Sequence, residues 1–282
     1  MRSFRVAYET LDCVATLRTA PRKPPHAGFE THESETAMAK KKLPYDQKYY
    51  DPEIECLPRP ELEQLQLERL KEMVRWSYDN APYYKQAWDE AGVSPEDIHT
   101  LKDIEKFPFI DKKTERETQG VGSFFGGLCA VPEEDVVFMA TSSGSTGVPT
   151  MSPFTQEDFD LWQDTEARLF WQAGMRPTDR YVHGLNFALY VGGPDVIGAQ
   201  NLGATAIWVG AVPSDRLLFV LKHYQPTIIW TSPSYAWQLG NKAIEKGLDP
   251  KTDFNIHTII VAGEPGGSIA TTRKAIEDLW GA

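Results

Sequence analysis

The residues best suited to chemistry form a short loop rich in hydroxyls and glycines, which runs from Ser142 to Thr150 after an apolar segment. Gly144 and Gly147 let successive backbone N–H groups converge on an anion at little steric cost. Side-chain hydroxyls add further donors, and they belong to Ser142, Ser143, Ser145, Thr146 and Thr150. The loop is not a Walker A motif, because the Gly-Lys-Ser/Thr ending is absent. A phosphate-binding loop of another kind and a mobile turn are both open interpretations.

Other candidate residues follow predicted strands. Glycines, prolines and aromatics are concentrated in the loops 183–193, 210–213, 232–235 and 262–268. Ligands of parallel α/β sheets bind just beyond the carboxyl ends of the strands. The need for glycine and proline in turns explains the composition of any one of these loops. It explains less well why all four loops lie at the same predicted edge of the sheet. We therefore expect a binding edge there.

An alternation of strands and helices after Glu134 has to position these loops. The predicted strands are 135–140, 180–183, 204–209, 227–231 and 256–262. The predicted helices are 156–174, 194–202, 214–224, 233–246 and 268–280, the first of them opened by a capping box of Thr155 and Asp158. Strands that alternate with helices predict an α/β fold whose mostly parallel sheet is buried between flanking helices.

The amino-terminal third differs from the rest. Residues 1–42 show no periodicity and are predicted to be a disordered leader, with a misplaced start, a processed leader and a genuine tail all left open. Residues 43–133 are predicted to be a helical lobe. Its main helix spans Pro60 to Asn80, and a shorter one spans Tyr83 to Glu90. Residues 134–282 then form the predicted α/β region.

Composition and charge exclude several classes of protein. The formal net charge is −11 over 282 residues, and residues 1–42 carry eight Lys/Arg against five Asp/Glu. The remaining surface repels polyanions, so no nucleic-acid partner is expected. No apolar run reaches the roughly 18 residues of a membrane span, so no membrane partner is expected. Cysteines 13, 56 and 129 are too scattered for a disulfide framework or a metal site, which fits a cytoplasmic protein.

Several motifs together resemble one family. The loop Ser142 to Thr150 resembles the phosphate loop of adenylate-forming enzymes, in the form found in phenylacetate–CoA ligases. Further similar stretches occur in the family's order, namely Asn80–Tyr84, Phe107–Phe109 with Asp111-Lys112, Val131-Pro132, Tyr190–Gly193, Thr231–Tyr235 and Gly263–Pro265. The resemblance runs from about Tyr45 to Ala282. Each motif is weak, but their shared order makes the family assignment strong.

The resemblance implies a two-step reaction. A carboxylate attacks the α-phosphate of Mg²⁺-bound ATP to give an acyl-adenylate and pyrophosphate, and the thiol of coenzyme A then displaces AMP. The phosphate loop would hold the β- and γ-phosphates. The turn Gly263-Glu264-Pro265 would lie against the adenine and close the acyl pocket. The implied walls of a pocket for an aryl acid are Phe187, Tyr190, Gly192, Gly193 and Tyr235. A homodimer is left open.

Three departures from the family qualify these expectations. The chain has Val148 where the family loop commonly has Lys, which removes a cation near the phosphates, and it has Ser145 where Thr is common. The run from Phe187 to Tyr190 also differs from the usual Tyr-Gly-Leu-Phe, so an acid other than phenylacetate is an alternative. A non-catalytic nucleotide-binding fragment is another, because the family's magnesium-binding acid and catalytic lysine are expected beyond Ala282. The chain alone is therefore expected not to complete the reaction.

Overall fold

The structure, a computed structural model, describes residues 46–142, 144, 147–187 and 195–281. Within these bounds the chain divides into two compact units. Residues 51–160 form the first, which we call the hairpin unit. Residues 46–50, 161–187 and 195–281 form the second, the sheet unit. The predicted boundary between residues 133 and 134 falls inside the hairpin unit, and the predicted leader, residues 1–42, lies outside the described residues.

The hairpin unit begins with helices. They are α1 (Pro52–Glu55), α2 (Arg59–Asn80), α3 (Pro82–Ala91) and α4 (Lys112–Thr118), with 3₁₀ turns at Pro95–Asp97, Leu101–Lys106 and Glu133–Asp135. A proline in the first turn starts both α2 and α3, where its missing N–H costs nothing. Helix α4 is capped by Asp111, whose carboxylate accepts the Thr114 N–H at 2.8 Å. Trp88 and Phe107 pack edge to face in the small core of these helices.

A two-stranded antiparallel hairpin completes this unit. Strand β1 (Val136–Thr141) pairs with β2 (Met151–Thr155), and the phosphate-loop sequence connects them. The sequence predicted β1 and then a helix as the next element. The next element is instead the strand β2, so the predicted alternation of strand and helix was wrong at this point. Pro153 lies in the middle of β2 opposite Met139. A proline disfavours a central strand and is accepted in an edge strand, which β2 is.

The sheet unit contains the predicted parallel sheet. Its strands are β3 (Arg180–His183), β4 (Thr205–Ile207), β5 (Ile228–Thr231) and β6 (Thr258–Val261), in the order β4-β3-β5-β6. All three pairings are parallel. The helices are α5 (Gln156–Gln172), which starts in the hairpin unit, α6 (Asp195–Leu202), α7 (Ser214–Tyr224), α8 (Pro233–Glu245) and α9 (Ala270–Trp280). The predicted fold class is thus confirmed.

Helices cover both faces of this sheet. One face packs Tyr181 and Trp230 against Phe170 of α5 and Val196 of α6. The other face carries residues of α7, α8 and α9, including the buried Trp280, whose indole N–H donates to the Ala236 carbonyl at 3.1 Å. Every residue of β5 is buried, as expected for a central strand covered on both sides.

Helix ends follow the predicted capping chemistry. The Asp158 carboxylate accepts hydrogen bonds from the Thr155 N–H and hydroxyl at 3.1 and 2.8 Å, which confirms the capping box of α5. Helix α9 ends at Gly281, whose φ of +69° favours glycine. None of the helices in the described ranges is long and apolar enough to cross a membrane.

Candidate functional site

The base of the phosphate loop is closed by its first and last residues. The Ser142 N–H donates to the Thr150 carbonyl at 3.0 Å, and the Thr150 N–H donates to Ser142 Oγ at 2.9 Å. Thr150 is buried, so its side chain anchors the loop in the hairpin unit. Ser143, Ser145 and Thr146 lie outside the described residues. Their role in phosphate binding stays a prediction.

The two loop glycines have backbone conformations that other residues rarely adopt. Gly144 has φ +69° and Gly147 has φ +138°, and the Gly147 N–H donates to the Gly144 carbonyl at 3.0 Å. A Cβ at Gly144 would lie 2.8 Å from Pro149 Cγ. Glycine is therefore required at 144 both by the backbone and by the space available. The turn between these two glycines therefore depends on the absence of a side chain at 144.

Helix α4 supplies contacts to this loop that the sequence did not indicate. The Gln119 side chain accepts a hydrogen bond from the Met151 N–H, and its amide donates to the Pro149 carbonyl at 3.4 Å. One turn earlier, Arg116 Nη1 lies 3.0 Å from the position of a Cβ built on Gly147. The nearest sequence signal was the Asp111 cap of α4. It predicts a helix but says nothing about where the helix packs.

The carboxyl ends of the parallel strands in the sheet unit carry a series of aromatic rings. Phe187 stacks on His183, with centroids 5.1 Å apart and an interplanar angle of 20°. On its other side Phe187 lies 5.6 Å from Trp208. Trp208 follows β4 and is 54% exposed, so its indole reaches the surface at this edge. Phe187 thus lies between a buried imidazole and an exposed indole at the predicted edge.

A buried hydrogen bond fixes the imidazole. His183 and Tyr181 are both fully buried, and Tyr181 Oη lies 2.8 Å from His183 Nδ1. In this pair the tautomer of the imidazole decides which group donates, because a hydroxyl can both donate and accept. Nε2 itself has no hydrogen-bond partner in the described part of the chain. Burial lowers the pKa of His183 to about 4, so the ring is neutral near pH 7.

Gly210 makes room for the Phe187 ring. It follows β4 with φ +67°, and a Cβ there would lie 2.6 Å from Phe187 Cε2. Any side chain at 210 would displace the ring. The position of Phe187 is therefore defined on three sides by His183, Trp208 and Gly210.

The turn after β6 is tied to the start of α8. The Glu264 carboxylate accepts a hydrogen bond from the Ser234 N–H at 2.7 Å. Hydrogen bonds from the Ser234 side chain and backbone hold the pKa of Glu264 below its usual value. Gly263, with φ +88°, and Pro265 are exposed on the same turn. The three predicted residues therefore form an exposed, hydrogen-bonded turn at the carboxyl edge, as expected from their position after a strand.

Tyr235 lies on the other side of the sheet from Phe187. Its ring packs with the cluster formed by α7, α8 and α9, and its hydroxyl donates to Ser214 Oγ at 3.1 Å. Phe187 instead packs against the cluster that contains Phe170 and Trp230. The two predicted walls therefore pack against different core clusters, and their joint role in an acid pocket stays a prediction. Tyr190, Gly192 and Gly193 lie outside the described residues, and their contribution to an acid pocket stays a prediction.

The fold, the loop between β1 and β2 and the loops at the carboxyl ends of the parallel strands are together found in a known class of protein. The model of the AMP-binding enzyme family matches residues 63–275. The chain belongs to this family, which is consistent with the phosphate loop between β1 and β2 and with the parallel sheet of the sheet unit.

Curated relatives narrow the comparison. The phenylacetate-coenzyme A ligase of Pseudomonas putida is 35% identical over 221 residues, which are 78% of this chain and 48% of the relative. The enzyme of the same name from Thermus thermophilus is 34% identical over 233 residues, 82% of this chain and 51% of the relative. The chain therefore spans about half the length of the curated relatives that it matches.

A solved structure shows the same fold with a different acid. The open conformation of 2-hydroxyisobutyryl-CoA ligase, in complex with 2-HIB-AMP and CoA, is similar with a TM-score of 0.81 and 31% sequence identity. The similarity covers 86% of this chain and 57% of that chain. The similar proteins therefore share CoA ligase names but differ in the acid that is named.

Proposed function

We propose that this chain contributes to an ATP-dependent acid–CoA ligase that activates an aryl carboxylic acid of the phenylacetate type. The observation that carries the proposal is the phosphate loop, closed by Ser142 and Thr150 and turned by Gly144, in a chain related to phenylacetate-coenzyme A ligases. ATP, an aryl acid and coenzyme A would be the substrates.

The proposed chemistry needs positioning and charge neutralisation more than a protein nucleophile. An acid oxygen bonds to the α-phosphorus of ATP while the bond to the β-phosphate bridge breaks, and pyrophosphate leaves. The sulfur of coenzyme A then bonds to the acyl carbon, the thiol proton is lost to solvent or a base, and AMP leaves. The loop residues Ser142, Gly144 and Gly147 would bind the β- and γ-phosphates.

Mg²⁺ would neutralise phosphate charge when it is bound to ATP. Among the described residues no group of three His, Cys, Asp or Glu side chains could hold a metal ion. We therefore assign no protein ligand to the metal. The hydroxyl and N–H donors of the loop fit phosphate oxygens, whereas a cation requires acceptors.

The acid would lie against the Phe187 ring. That ring is packed between His183 and Trp208 at the carboxyl edge of the sheet, where Phe187 is half-buried and the Trp208 indole is exposed. Aromatic contacts contribute about 0.5–1.5 kcal/mol beyond area burial, which favours an aryl acid over a saturated chain. The exposed turn of Gly263, Glu264 and Pro265 is proposed to contact the adenine.

A second candidate is a short hydroxylated acid. His183 Nε2 is buried without a hydrogen-bond partner among the described residues, and a hydroxyl group, which can both donate and accept, would match it in either tautomer. The similarity to 2-hydroxyisobutyryl-CoA ligase points the same way. A nucleotide-binding protein that accepts no acid is the remaining alternative.

Calorimetric binding separates these candidates. ATP would be titrated first, followed by phenylacetate, 2-hydroxyisobutyrate and a long-chain fatty acid, each in the presence of a non-hydrolysable ATP analogue. We expect ATP binding and a preference for phenylacetate. Preference for 2-hydroxyisobutyrate would select the second candidate, and preference for the long chain would refute the assigned pocket. ATP binding with no acid bound would leave the non-catalytic alternative.

A further inference from the structure

The phosphate loop carries no basic residue of its own. No Lys or Arg occurs between Ser142 and Thr150, and Val148 of the loop is an exposed apolar residue. The whole chain has a formal net charge of −11. A triphosphate brought to this loop therefore meets N–H and O–H donors but no positive charge from the loop, and the surrounding protein is acidic. A cation from another part of the hairpin unit would add to the charge neutralisation that Mg²⁺ provides when it is bound to ATP.

Helix α4 is fastened to the loop in a way that brings one cation to it. Gln119 bridges two backbone groups at the end of the loop, accepting from the Met151 N–H and donating to the Pro149 carbonyl. This attachment fixes the carboxyl end of α4 against the hairpin. Arg116 lies one turn back along the same helix, and its Nη1 is 3.0 Å from a Cβ built on Gly147. The guanidinium therefore lies against the loop backbone.

We propose that Arg116 is a phosphate-binding residue of this chain, supplying from α4 the positive charge that the loop itself lacks at Val148. The inference rests on the proposed function, because it takes the loop as the site of the ATP β- and γ-phosphates. Gly147 has a second role in this arrangement. Its missing side chain leaves the space that the guanidinium occupies.

The chemistry of arginine suits this role. Its guanidinium is charged at all physiological pH values and presents several N–H donors in one plane, which matches two oxygens of a phosphate. Lysine offers a flexible point charge instead. An arginine on a neighbouring helix can therefore replace a loop lysine electrostatically, provided that the helix is held in place. Gln119 provides that attachment.

The test measures binding of ATP and of inorganic tripolyphosphate to the full chain and its variants. Arg116→Gln removes the charge and keeps much of the side-chain length. Lys113→Gln is the matched control, because Lys113 lies on the same helix, is exposed, and pairs with Glu117 at 3.7 Å. Thermal unfolding of each variant reports on folding.

We expect Arg116→Gln to weaken both probes by about 10- to 100-fold, the effect of a lost hydrogen bond to a charged group. Lys113→Gln should change either affinity by less than about twofold. Arg116→Lys should retain part of the affinity, and Val148→Lys should recover part of it in the Arg116→Gln variant. AMP, which lacks the β- and γ-phosphates, should be affected far less than ATP. The fall in ATP affinity with salt should be shallower without Arg116.

Each outcome decides between the inference and the proposed function. Unchanged binding of both probes by Arg116→Gln, or an equal loss in Lys113→Gln, would overturn the role of Arg116 and leave the ligase proposal intact. Arg116-dependent binding of tripolyphosphate without ATP binding would support Arg116 and refute the nucleotide site. A wild-type chain that binds neither probe refutes both. Should Arg116→Gln fail to fold, two other single variants decide. Arg116→Lys should bind ATP more weakly than the wild type, and Val148→Lys should bind ATP more tightly.

Discussion

The hairpin unit and the sheet unit build their candidate ligand contacts from different parts of the chain. In the hairpin unit the candidate contacts belong to a loop whose backbone is turned at Gly144 and Gly147 and closed at its base by Ser142 and Thr150. In the sheet unit they are rings, with Phe187 between His183 and Trp208. Backbone contacts depend on conformation, whereas ring contacts depend on shape and packing. The two regions should therefore respond to substitution differently.

The comparison is tested most strongly at Gly144. Gly144→Val should weaken ATP binding at least about 100-fold, because a branched side chain is strained at φ +69° and its Cβ would meet Pro149. The rest of the hairpin unit should stay folded, since the loop lies at its surface. Calorimetric titration with ATP and thermal unfolding measure the two effects.

Gly92→Ala provides the control for backbone strain. Gly92 also has φ +69°, but a Cβ there would meet nothing within 4 Å. The Gly92→Ala variant should lose about 1 kcal/mol of unfolding free energy and should bind ATP as tightly as the wild type. If Gly144→Val bound ATP as the wild type does, the loop would not be the phosphate site.

The corresponding change at the sheet edge is Phe187→Ala. We expect phenylacetate affinity to fall about tenfold or more, because the variant loses an aromatic face of the proposed pocket. ATP affinity should stay within about twofold. Phe219→Ala is the control, since Phe219 is an exposed ring on α7 of the same unit. Equal loss of acid affinity in both variants would contradict the pocket assignment.

The buried imidazole predicts a pH dependence of stability. The folded protein holds His183 at a pKa of about 4 instead of its ordinary 6.5, so the unfolded chain takes up the extra proton as the pH falls. The wild type should therefore lose up to about 3 kcal/mol of unfolding free energy between pH 6.5 and 4, and His183→Phe should flatten this slope.

Denaturant unfolding at several pH values measures the effect of His183. Asp179 affects the free energy of unfolding at lower pH values than His183 does. Burial raises its pKa, but hydrogen bonds from His257, the Arg176 N–H and Thr227 outweigh burial and hold it below 3.8. His223→Phe, which removes a surface histidine, should keep the wild-type slope. A slope unchanged in His183→Phe would show that the buried imidazole is not its source.

The smallest expected effect is at Tyr235. Tyr235→Phe should cost about 1 kcal/mol of stability through the lost hydrogen bond to Ser214 and should change phenylacetate affinity by less than about twofold. Ser214→Ala should give a similar loss, and the double variant should lose little more. A large loss of acid affinity would instead place Tyr235 in the pocket, as the resemblance implies.

Much of the sheet unit could be predicted because its signals are local. Strand β3 and helix α7 begin and end at the predicted residues, Arg180–His183 and Ser214–Tyr224. Helix α8 begins as predicted at Pro233, after the Ser232 cap. Periodicity, caps and turn residues specify such elements within a few neighbouring positions. The order of alternation then gives the parallel sheet.

The missed features depend on contacts distant in sequence or on competing local signals. Strand β2 contains Pro153, which argues against a strand until its edge position is known. Arg116 is separated from Gly147 by 31 positions in the sequence, and only the packing of α4 through Gln119 brings them together. Trp208 is 54% exposed after β4, an edge strand of the described sheet, and residue type alone does not indicate that exposure. The structure also places Tyr235 and Phe187 on opposite faces, which a list of strand-end loops cannot show.

The bond between Glu264 and Ser234 has an electrostatic consequence for the whole edge of the sheet. Helix α8 directs the positive end of its dipole and its free N–H groups toward the carboxyl ends of the strands, an arrangement that attracts phosphate in many α/β proteins. Here the protein fills that position with its own anion, since the Glu264 carboxylate takes the Ser234 N–H and Ser232 Oγ takes that of Tyr235. The start of α8 is thus already neutralised. A nucleotide gains little by placing its phosphates there, which leaves this edge to uncharged rings and acyl groups.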